Sequence, residues 1–356
     1  MVDFSRWLEK DDCFLKYKDV KSNLIYGEVS DKKSEICIFI PTYKRSESLR
    51  CALESAINQS TKEYYEVIVL DNESTPDTKT EELMREYCSK YNNILYYKNE
   101  SNIGMFGNWN RGFELTRTKW VAMLHDDDAL YPQYLDEVLK NVKKYDCGLI
   151  SVFSRFMEGN SEQMIDTDMC KDQNKFKVMI SKLTKGKAVR IDLSDNYRSI
   201  TATPTACVFK REAVIECGGF NDSYFPISDI TLFNKITYYH SAIIIPQALA
   251  VRRIGENEMK NVLLDCTRNS KSLLREIQKE LYGEKHKKWI ANYGAAVNHL
   301  IFLAKKYDPN IDIKKALKEN DLPVFWSYVP NVINQAILGW FWIRMLLRNK
   351  RGTLHE

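Results

Sequence analysis

Three consecutive carboxylates, Asp126-Asp127-Asp128, stand behind His125 at the end of an apolar run, Trp120 to Leu124. Like charges crowded at a strand end repel one another unless something neutralises them. A divalent cation does so by taking carboxylate ligands while phosphate oxygens complete its shell. Read alone, the same residues fit a solvated acidic turn equally well. Two further polar segments stand in equivalent places. Pro41-Thr42-Tyr43-Lys44-Arg45 follows the run Ile36 to Ile40, and Asp71-Asn72-Glu73-Ser74 follows Val67 to Leu70. Another carboxylate, Asp229, lies in Ile227-Ser228-Asp229 at a predicted helix start, where it can act as a general base or only as an N-cap.

The elements that must position these residues alternate between strand and helix patterns. Ile36-Cys37-Ile38-Phe39-Ile40 is continuously apolar, as expected of a strand covered on both faces. A helix follows, with Ser46 as N-cap and Leu49, Ala52, Leu53, Ala56 and Ile57 on one face. Val67 to Leu70 reads as the next strand, Thr78 to Tyr91 as a polar helix, Ile94 to Tyr97 as a strand and Phe106 to Thr116 as a helix. Trp120 to Leu124 delivers the acidic run. Pro132 then opens a helix carrying Tyr134, Leu135, Val138, Leu139 and Val142. This alternation predicts an α/β fold with an open, mostly parallel sheet flanked by helices. Ligands of such sheets bind beyond the carboxyl ends of the strands. The three polar segments therefore share one rim, which raises the acidic run above the solvated-turn reading. No G-x-G-x-x-G lies between the first strand and helix, and no Walker sequence follows any strand. Dinucleotide-binding dehydrogenases and P-loop enzymes are set aside on that ground.

The second half changes character. Residues 155–200 read as a charged, loop-rich insertion over the sheet. Thr205 to Phe209 looks like a strand leading into a short helix, Lys210 to Cys217, stopped by Gly218-Gly219. A helix is predicted over Asp229 to Tyr239, and the pattern beyond Glu256 is helical, with breaks near Tyr282-Gly283, Asp308-Pro309 and Leu322-Pro323. The net charge of +4 over 356 residues is too small to argue for a nucleic-acid partner. The nine cysteines are scattered with no C-x-x-C, as expected of reduced, buried thiols in a cytoplasmic protein. The charged start, Met1 to Lys10, has no apolar stretch of the kind a signal peptide requires.

In this order and on these elements, the pieces resemble the inverting glycosyltransferases of family 2, which have the Rossmann-like GT-A fold. The resemblance covers residues 35–260. It rests on Pro41-Thr42-Tyr43, Asp71-Asn72 with Ser74, Asn102-Ile103-Gly104 with Asn108 to Gly112, His125 to Asp128 with Pro132, Gly218-Gly219-Phe220, and Ile227-Ser228-Asp229. It implies a nucleotide-sugar-binding part over 35–150 and an acceptor side over 151–260. Residues 1–34 are then an N-terminal extension and 261–356 a helical C-terminal region. Pro41, Thr42, Tyr43 and Arg45 would contact the donor, with Asp71 accepting the N3–H of uracil. Asn102, Gly104 and Arg111 would approach the donor phosphates and sugar. Asp127 would be the main Mn²⁺ or Mg²⁺ ligand, Asp126 would serve the ribose, and Asp128 the outer shell or donor sugar. Asp229 would be the general base. Two positions depart from the family pattern: His125 replaces its first acidic residue, and Gly255 stands where many relatives carry histidine. Arg252 and Arg253 are read either as phosphate neutralisers or as solvent-facing residues.

The stretch 324–351 is rich in Trp and aliphatics, ends in cations, and falls short of the roughly 20 apolar residues of a membrane span. It fits a helix lying on an anionic membrane surface, or one packed on the catalytic domain or a dimer partner. The expectation is therefore a cytoplasmic protein, peripheral on the inner face of the cell membrane. It would move a sugar from a nucleotide diphosphate, UDP first, to a glycan or polyprenyl-diphosphate-linked acceptor. A sugar nucleotidyltransferase is the alternative within enzymes, although the glycine- and lysine-rich loop it needs is missing after the first strand. A non-catalytic nucleotide-sugar-binding scaffold would have no use for Asp229.

Overall fold

The computed structural model describes residues 2–75, 78–158, 171–172, 175–196, 204–254, 259–283, 312–319, 324–328, 339–340 and 342–349. Strand β1 (Ser22–Tyr26) precedes β2 (Ile36–Thr42), whose seven residues are all buried. Then follow α1 (Ser46–Ile57), β3 (Glu66–Asp71), α2 (Thr78–Lys90), β4 (Ile94–Asn99), α3 (Gly104–Leu115) and β5 (Trp120–Met123). β2 runs parallel to β3 on one side and to β5 on the other, and β3 runs parallel to β4. The connection therefore reverses direction at β2, which opens a crevice between the ends of β2 and β5. Alternate residues of β2 enter different cores. Ile36, Ile38 and Ile40 pack with Leu49, Leu53 and Leu135, while Cys37 and Phe39 pack with Phe106, Trp109 and Phe113. That two-sided burial is why the run is apolar throughout. Each fully buried Ile or Phe contributes about 1.5–3 kcal/mol relative to exposure.

The second half completes an eleven-stranded mixed sheet of order β1-β4-β3-β2-β5-β10-β7-β11-β6, with two short strands pairing off this path. Its elements are β6 (Ala129–Leu130), α4 (Tyr134–Val142), β7 (Leu149–Glu158), β8 (Lys171–Asp172), α5 (Lys175–Thr184), β9 (Val189–Ile191) and α6 (Leu193–Asn196). After them come β10 (Val208–Lys210), α7 (Arg211–Glu216), α8 (Ser228–His240), β11 (Ala242–Ile254) and α9 (Met259–Tyr282). β10 lies antiparallel to both β5 and β7 and joins the two halves. The span expected to be irregular from 155 onward instead begins within β7, which pairs in parallel with β11. Ser151, Ser154, Arg155 and Glu158 are its polar positions, and the two serines are buried. α1 starts at Ser46 with Arg45, not Ser46, in the N-cap place, and α4 starts two residues after Pro132.

A third core joins Phe4 and Trp7 to Tyr224, Ile227, Cys266, Leu273 and Ile277. The N-terminal residues thus contribute both core side chains and the edge strand β1, which pairs antiparallel with β4. None of the eight described cysteines is in a disulfide. Burial pushes the Cys37 and Cys207 thiols up to about 12, so they stay protonated. Helical residues 342–349 bury Trp342 and Met345 against the sheet, with Trp342 edge-on to Phe153 at 5.4 Å. Trp340, Ile343 and Leu347 remain exposed. No helix among the described residues is long and apolar enough to cross a membrane. Gly255, Cys170 and the breaks read at Asp308-Pro309 and Leu322-Pro323 lie outside the described residues.

Candidate active site

A cleft of about 440 Å³ opens where the strands end. Pro41, Thr42, Tyr43, Arg45, Asn102, Gly104, Asp126, Asp127, Asp128 and Asp229 all line it, brought together from four segments of chain. The crevice between β2 and β5 is bridged directly: Thr42 Oγ1 donates to Asp126 Oδ2 at 2.8 Å. Arg45 Nη1 stands 3.3 Å from both Asp126 Oδ1 and Asp127 Oδ2. The loop entering α3 is fixed by amides. Asn72 Oδ1 accepts from the Ile103 N–H and from Asn99 Nδ2, both at 3.0 Å. Asn102 Oδ1 accepts from the Gly104 N–H at 2.8 Å. Gly104 has φ +74, which a glycine adopts without strain. The buried part of this network, Asn72 with Asn99 and Ile103, holds the rim.

The acidic corner is electrostatically loaded. Burial, then the neighbouring Asp127 carboxylate, push both Asp126 and Asp128 up to about 7. Burial pushes His125 down to about 4, so its ring is neutral near pH 7. That ring stacks on Trp109 with centroids 5.1 Å apart. One ligand atom each from His125, Asp127 and Asp128 lies within 4.8 Å of the others. The buried Nε2 of His125 has no hydrogen-bond partner. A neutral imidazole with a buried, unpartnered ring nitrogen beside two carboxylates fits a divalent cation, whose charge would relieve the crowding. Ligands about 2.1 Å from a small divalent ion stand at most ~4.2 Å apart, so small side-chain rotations close the group. The grouping contains Asp127, as the sequence implied, but adds His125 and Asp128. Asp126 lies outside it, tied to Thr42 and Arg45.

Asp229 occupies the first turn of α8. The N-cap is Ile227 and makes no side-chain capping bond. Asp229 Oδ1 accepts from the Ile230 N–H at 2.8 Å. Burial pushes its carboxyl up to about 6, against the lowering effect of that bond and of Arg252. Arg252 lines the cleft with its guanidinium over Phe156, 5.6 Å from the ring centroid. Arg253 is buried and braces the acidic turn. Its N–H donates to Asp128 Oδ1 at 2.8 Å and its Nε to the Asp127 carbonyl at 3.2 Å.

Two expected donor residues do not reach the cleft. Asp71 is fully buried, with Oδ2 accepting from the Tyr96 hydroxyl at 2.8 Å and Oδ1 from the Glu73 N–H at 2.9 Å. Asn72 lines the cleft instead. Arg111 points to the other end of α3. There it donates to the Tyr17 and Val20 carbonyls and pairs with Glu114, fastening the N-terminal segment to the sheet. Sequence reasoning missed Met105, Phe225, Pro226 and Val262 as lining residues. Phe225 and Pro226 immediately precede the quoted Ile227-Ser228-Asp229, so the segment could have been extended backward to find them.

Comparison with known proteins agrees with this geometry. Residues 37–218 match the model of glycosyl transferase family 2. An uncharacterized glycosyltransferase of Methanocaldococcus jannaschii is 32% identical over 130 residues, which are 36% of this chain and 44% of that protein. The chain thus matches less than half the length of that relative. The GalNAc(5)-diNAcBac-PP-undecaprenol beta-1,3-glucosyltransferase of Campylobacter jejuni is 25% identical over 288 residues, 77% of this chain and 84% of that one. The same fold occurs in the mannosyltransferase PcManGT of Pyrobaculum calidifontis, solved with GDP-Man and Mn²⁺. Its TM-score is 0.53 at 13% identity, covering 97% of this chain and 91% of that one. S. aureus TarS 1-349, solved with UDP, gives a TM-score of 0.51 at 13% identity, covering 90% and 92%. The family match spans more than half of the 356 residues, and with the sheet order and rim described above the chain belongs to glycosyltransferase family 2 and has the GT-A fold.

Proposed function

We propose that this chain transfers a sugar from a nucleotide diphosphate to a hydroxyl of a glycan or polyprenyl-diphosphate-linked glycan, with inversion at C1. The observation that carries the reading is a single cleft holding the His125–Asp128 corner together with Asp229, a carboxyl raised to about 6. A base near that value is ionised at neutral pH yet still basic enough to accept a proton in the transition state. In the displacement, the acceptor oxygen bonds to C1, the C1–O bond to the diphosphate breaks, and the hydroxyl proton passes to Asp229. Oδ2 of Asp229 is the oxygen for that proton, since Oδ1 already accepts from Ile230. Arg45 and Arg252 face the departing diphosphate from the cleft wall. Pro41, Thr42 and Tyr43 form the surface for the nucleobase, with Asn102 and Gly104 beside the phosphates. Mn²⁺ or Mg²⁺ held by His125, Asp127 and Asp128 would neutralise charge on the leaving diphosphate.

UDP is the first nucleotide to test, supported by the family resemblance and by the UDP complex of TarS. GDP enters beside it because Asp71, the residue expected to select uracil, is buried away from the cleft, and PcManGT was solved with GDP-Man. The Campylobacter relative acts on a polyprenyl-linked acceptor by its name, which supports that acceptor class here. In this reading residues 35–260 form the catalytic unit, 1–34 an extension that completes it, and 261–356 a helical tail. The protein then works in the cytoplasm, with the tail on the inner face of the membrane. The deciding experiment incubates the protein with a panel of UDP- and GDP-sugars and Mn²⁺ and follows nucleotide release. Slow, chelator-sensitive hydrolysis of one donor is expected; no release from any donor refutes the transferase reading.

A further inference from the structure

The wall of the cleft beside Asp229 is apolar, and the donor-binding residues do not account for it. Phe225, Pro226, Met105 and Val262 line the cleft that Asp229 also lines, and Phe225 and Pro226 stand within four residues of Asp229 in the chain. Phe225 is 45% exposed and Met105 41%. The exposed ring of Phe225 is nevertheless held in place. Its chain neighbours Tyr224 and Ile227 are buried in the third core, with Tyr224 stacked on Phe4 at 5.1 Å. The Phe225 N–H donates to the Asp222 carbonyl at 3.0 Å, and the Phe225 carbonyl accepts from Asn269 Nδ2 at 3.1 Å. Phe106, itself packed between Trp109 and Phe220, meets the ring at an inclined angle with centroids 6.4 Å apart. Backbone and one side of the ring are fixed, and the remaining surface is offered to the cleft.

An acceptor hydroxyl must come within about 2.6–3.2 Å of the base that takes its proton. Asp229 is four residues beyond Phe225 and lines the same cleft, so a group presenting its hydroxyl to Asp229 comes within reach of the Phe225 surface. A pyranose ring suits both demands. Its faces are C–H and cover an aromatic ring, while its equatorial hydroxyls point outward to a carboxylate at the edge. A linear polyol phosphate offers no such face and calls for cations instead. We propose that Phe225, with Met105 and Pro226, forms the acceptor subsite and that it takes a pyranose ring. The proposal rests on the transferase reading above.

The test is saturation-transfer NMR on the full chain with UDP and Mn²⁺. The probes are the methyl β-glycosides of glucose, N-acetylglucosamine and galactose, with ribitol 5-phosphate as the ring-free probe. At least one glycoside is expected to receive saturation, strongest at the ring protons of one face. That signal should fall about fivefold in Phe225→Ala and be kept in Phe225→Trp, as expected for loss and retention of an aromatic contact, with UDP saturation equal in all three proteins. Should Phe225→Ala disturb UDP binding, Met105→Ala on α3 replaces it and must lower the glycoside signal about twofold. Equal glycoside signals in wild type and variants, no glycoside binding, or binding of ribitol 5-phosphate alone overturns the proposal. Absence of UDP saturation in the wild type is a separate result, which defeats the transferase reading itself.

Discussion

Asp229 carries two opposing consequences of one raised carboxyl. As a base it must be ionised, so kcat should climb about tenfold per pH unit below about 6 and level off above it. Asp229→Asn should bind UDP normally while losing turnover by about 10³-fold or more, and retained turnover removes Asp229 as the base. For stability the sign is reversed. The folded state holds the Asp229 proton more tightly than the unfolded chain, whose carboxyl ionises near 3.8. This contribution is complete below about 4 and is lost as pH rises to about 6. Asp229→Asn should therefore melt above the wild type at pH 8, with the gap closing towards pH 4 in a calorimetric series. At the metal corner, His125→Ala should weaken Mn²⁺ binding to the UDP-loaded protein about tenfold or more, read from the resonance of free Mn²⁺. Unchanged affinity would mean that Asp127 and Asp128 suffice. The acidic run could be placed at the cleft because it ends a strand of the same sheet as Pro41-Thr42-Tyr43, so the two share a rim, and Asp229 was placed there by the order of the family's pieces. Asp71 and Arg111 were misread because residue type and motif order do not tell which end of an element a side chain serves. Both stand beside residues that do line the cleft, Asn72 and Asn108.

α3 shows what such an element must do besides presenting a site. Gly112 lies against β2 so closely that a Cβ there would stand 2.1 Å from the Phe39 ring. Phe39 is buried between α3 and the neighbouring strands and cannot swing away. Gly112→Ala should cost about 1–3 kcal/mol by overpacking, measured by denaturant unfolding, and a neutral result would show that β2 and α3 can separate. Arg111, one residue earlier, is a fastener for residues 17–22. Arg111→Ala removes the guanidinium donor from the half-buried carbonyls of Tyr17 and Val20, the first of which keeps the Val20 N–H, at a cost of about 1–3 kcal/mol. UDP affinity, measured by calorimetry, should not change; a matching loss of UDP binding would return Arg111 to the donor site. Strands β2, β3, β4 and β5 were readable because burial on both faces makes them continuously apolar. β7 and β11 were not. Arg155, Pro246, Gln247, Arg252 and Arg253 break their apolar runs: Pro246 and Gln247 fall where the β7–β11 pairing shifts register, and Arg252 and Arg253 line the cleft.

At the scale of the whole molecule, the C-terminal segment divides between two surfaces. The sequence left a membrane-surface helix and a helix packed on the catalytic domain as alternatives for this segment. The structure assigns Trp342 and Met345 to the second core and leaves Trp340, Ile343 and Leu347 outside it. Their spacing of three and four residues puts the exposed three on one side of the helix. Arg344 is exposed between them, while Arg348 is drawn inward to Asp192 and Asp195. A Trp at the headgroup level with aliphatics below and a cation alongside is the composition of an interfacial helix. Deleting the tail cannot test this, because removing Trp342 and Met345 uncovers core residues such as Phe153 and would itself cause aggregation. Substituting only the exposed side avoids that difficulty. Wild-type protein should float with vesicles rich in phosphatidylglycerol, and the double variant Trp340→Glu/Ile343→Glu should stay in the dense fraction while melting at the same temperature. The charge contribution should weaken at about 1 M salt, where the screening length is ~3 Å, leaving the apolar part of the binding in place. Equal flotation of the two proteins, or none by the wild type, would show that the exposed side meets something other than lipid. Flotation by the wild type alone would put the cleft at a surface where a polyprenyl-linked acceptor can diffuse to it in two dimensions.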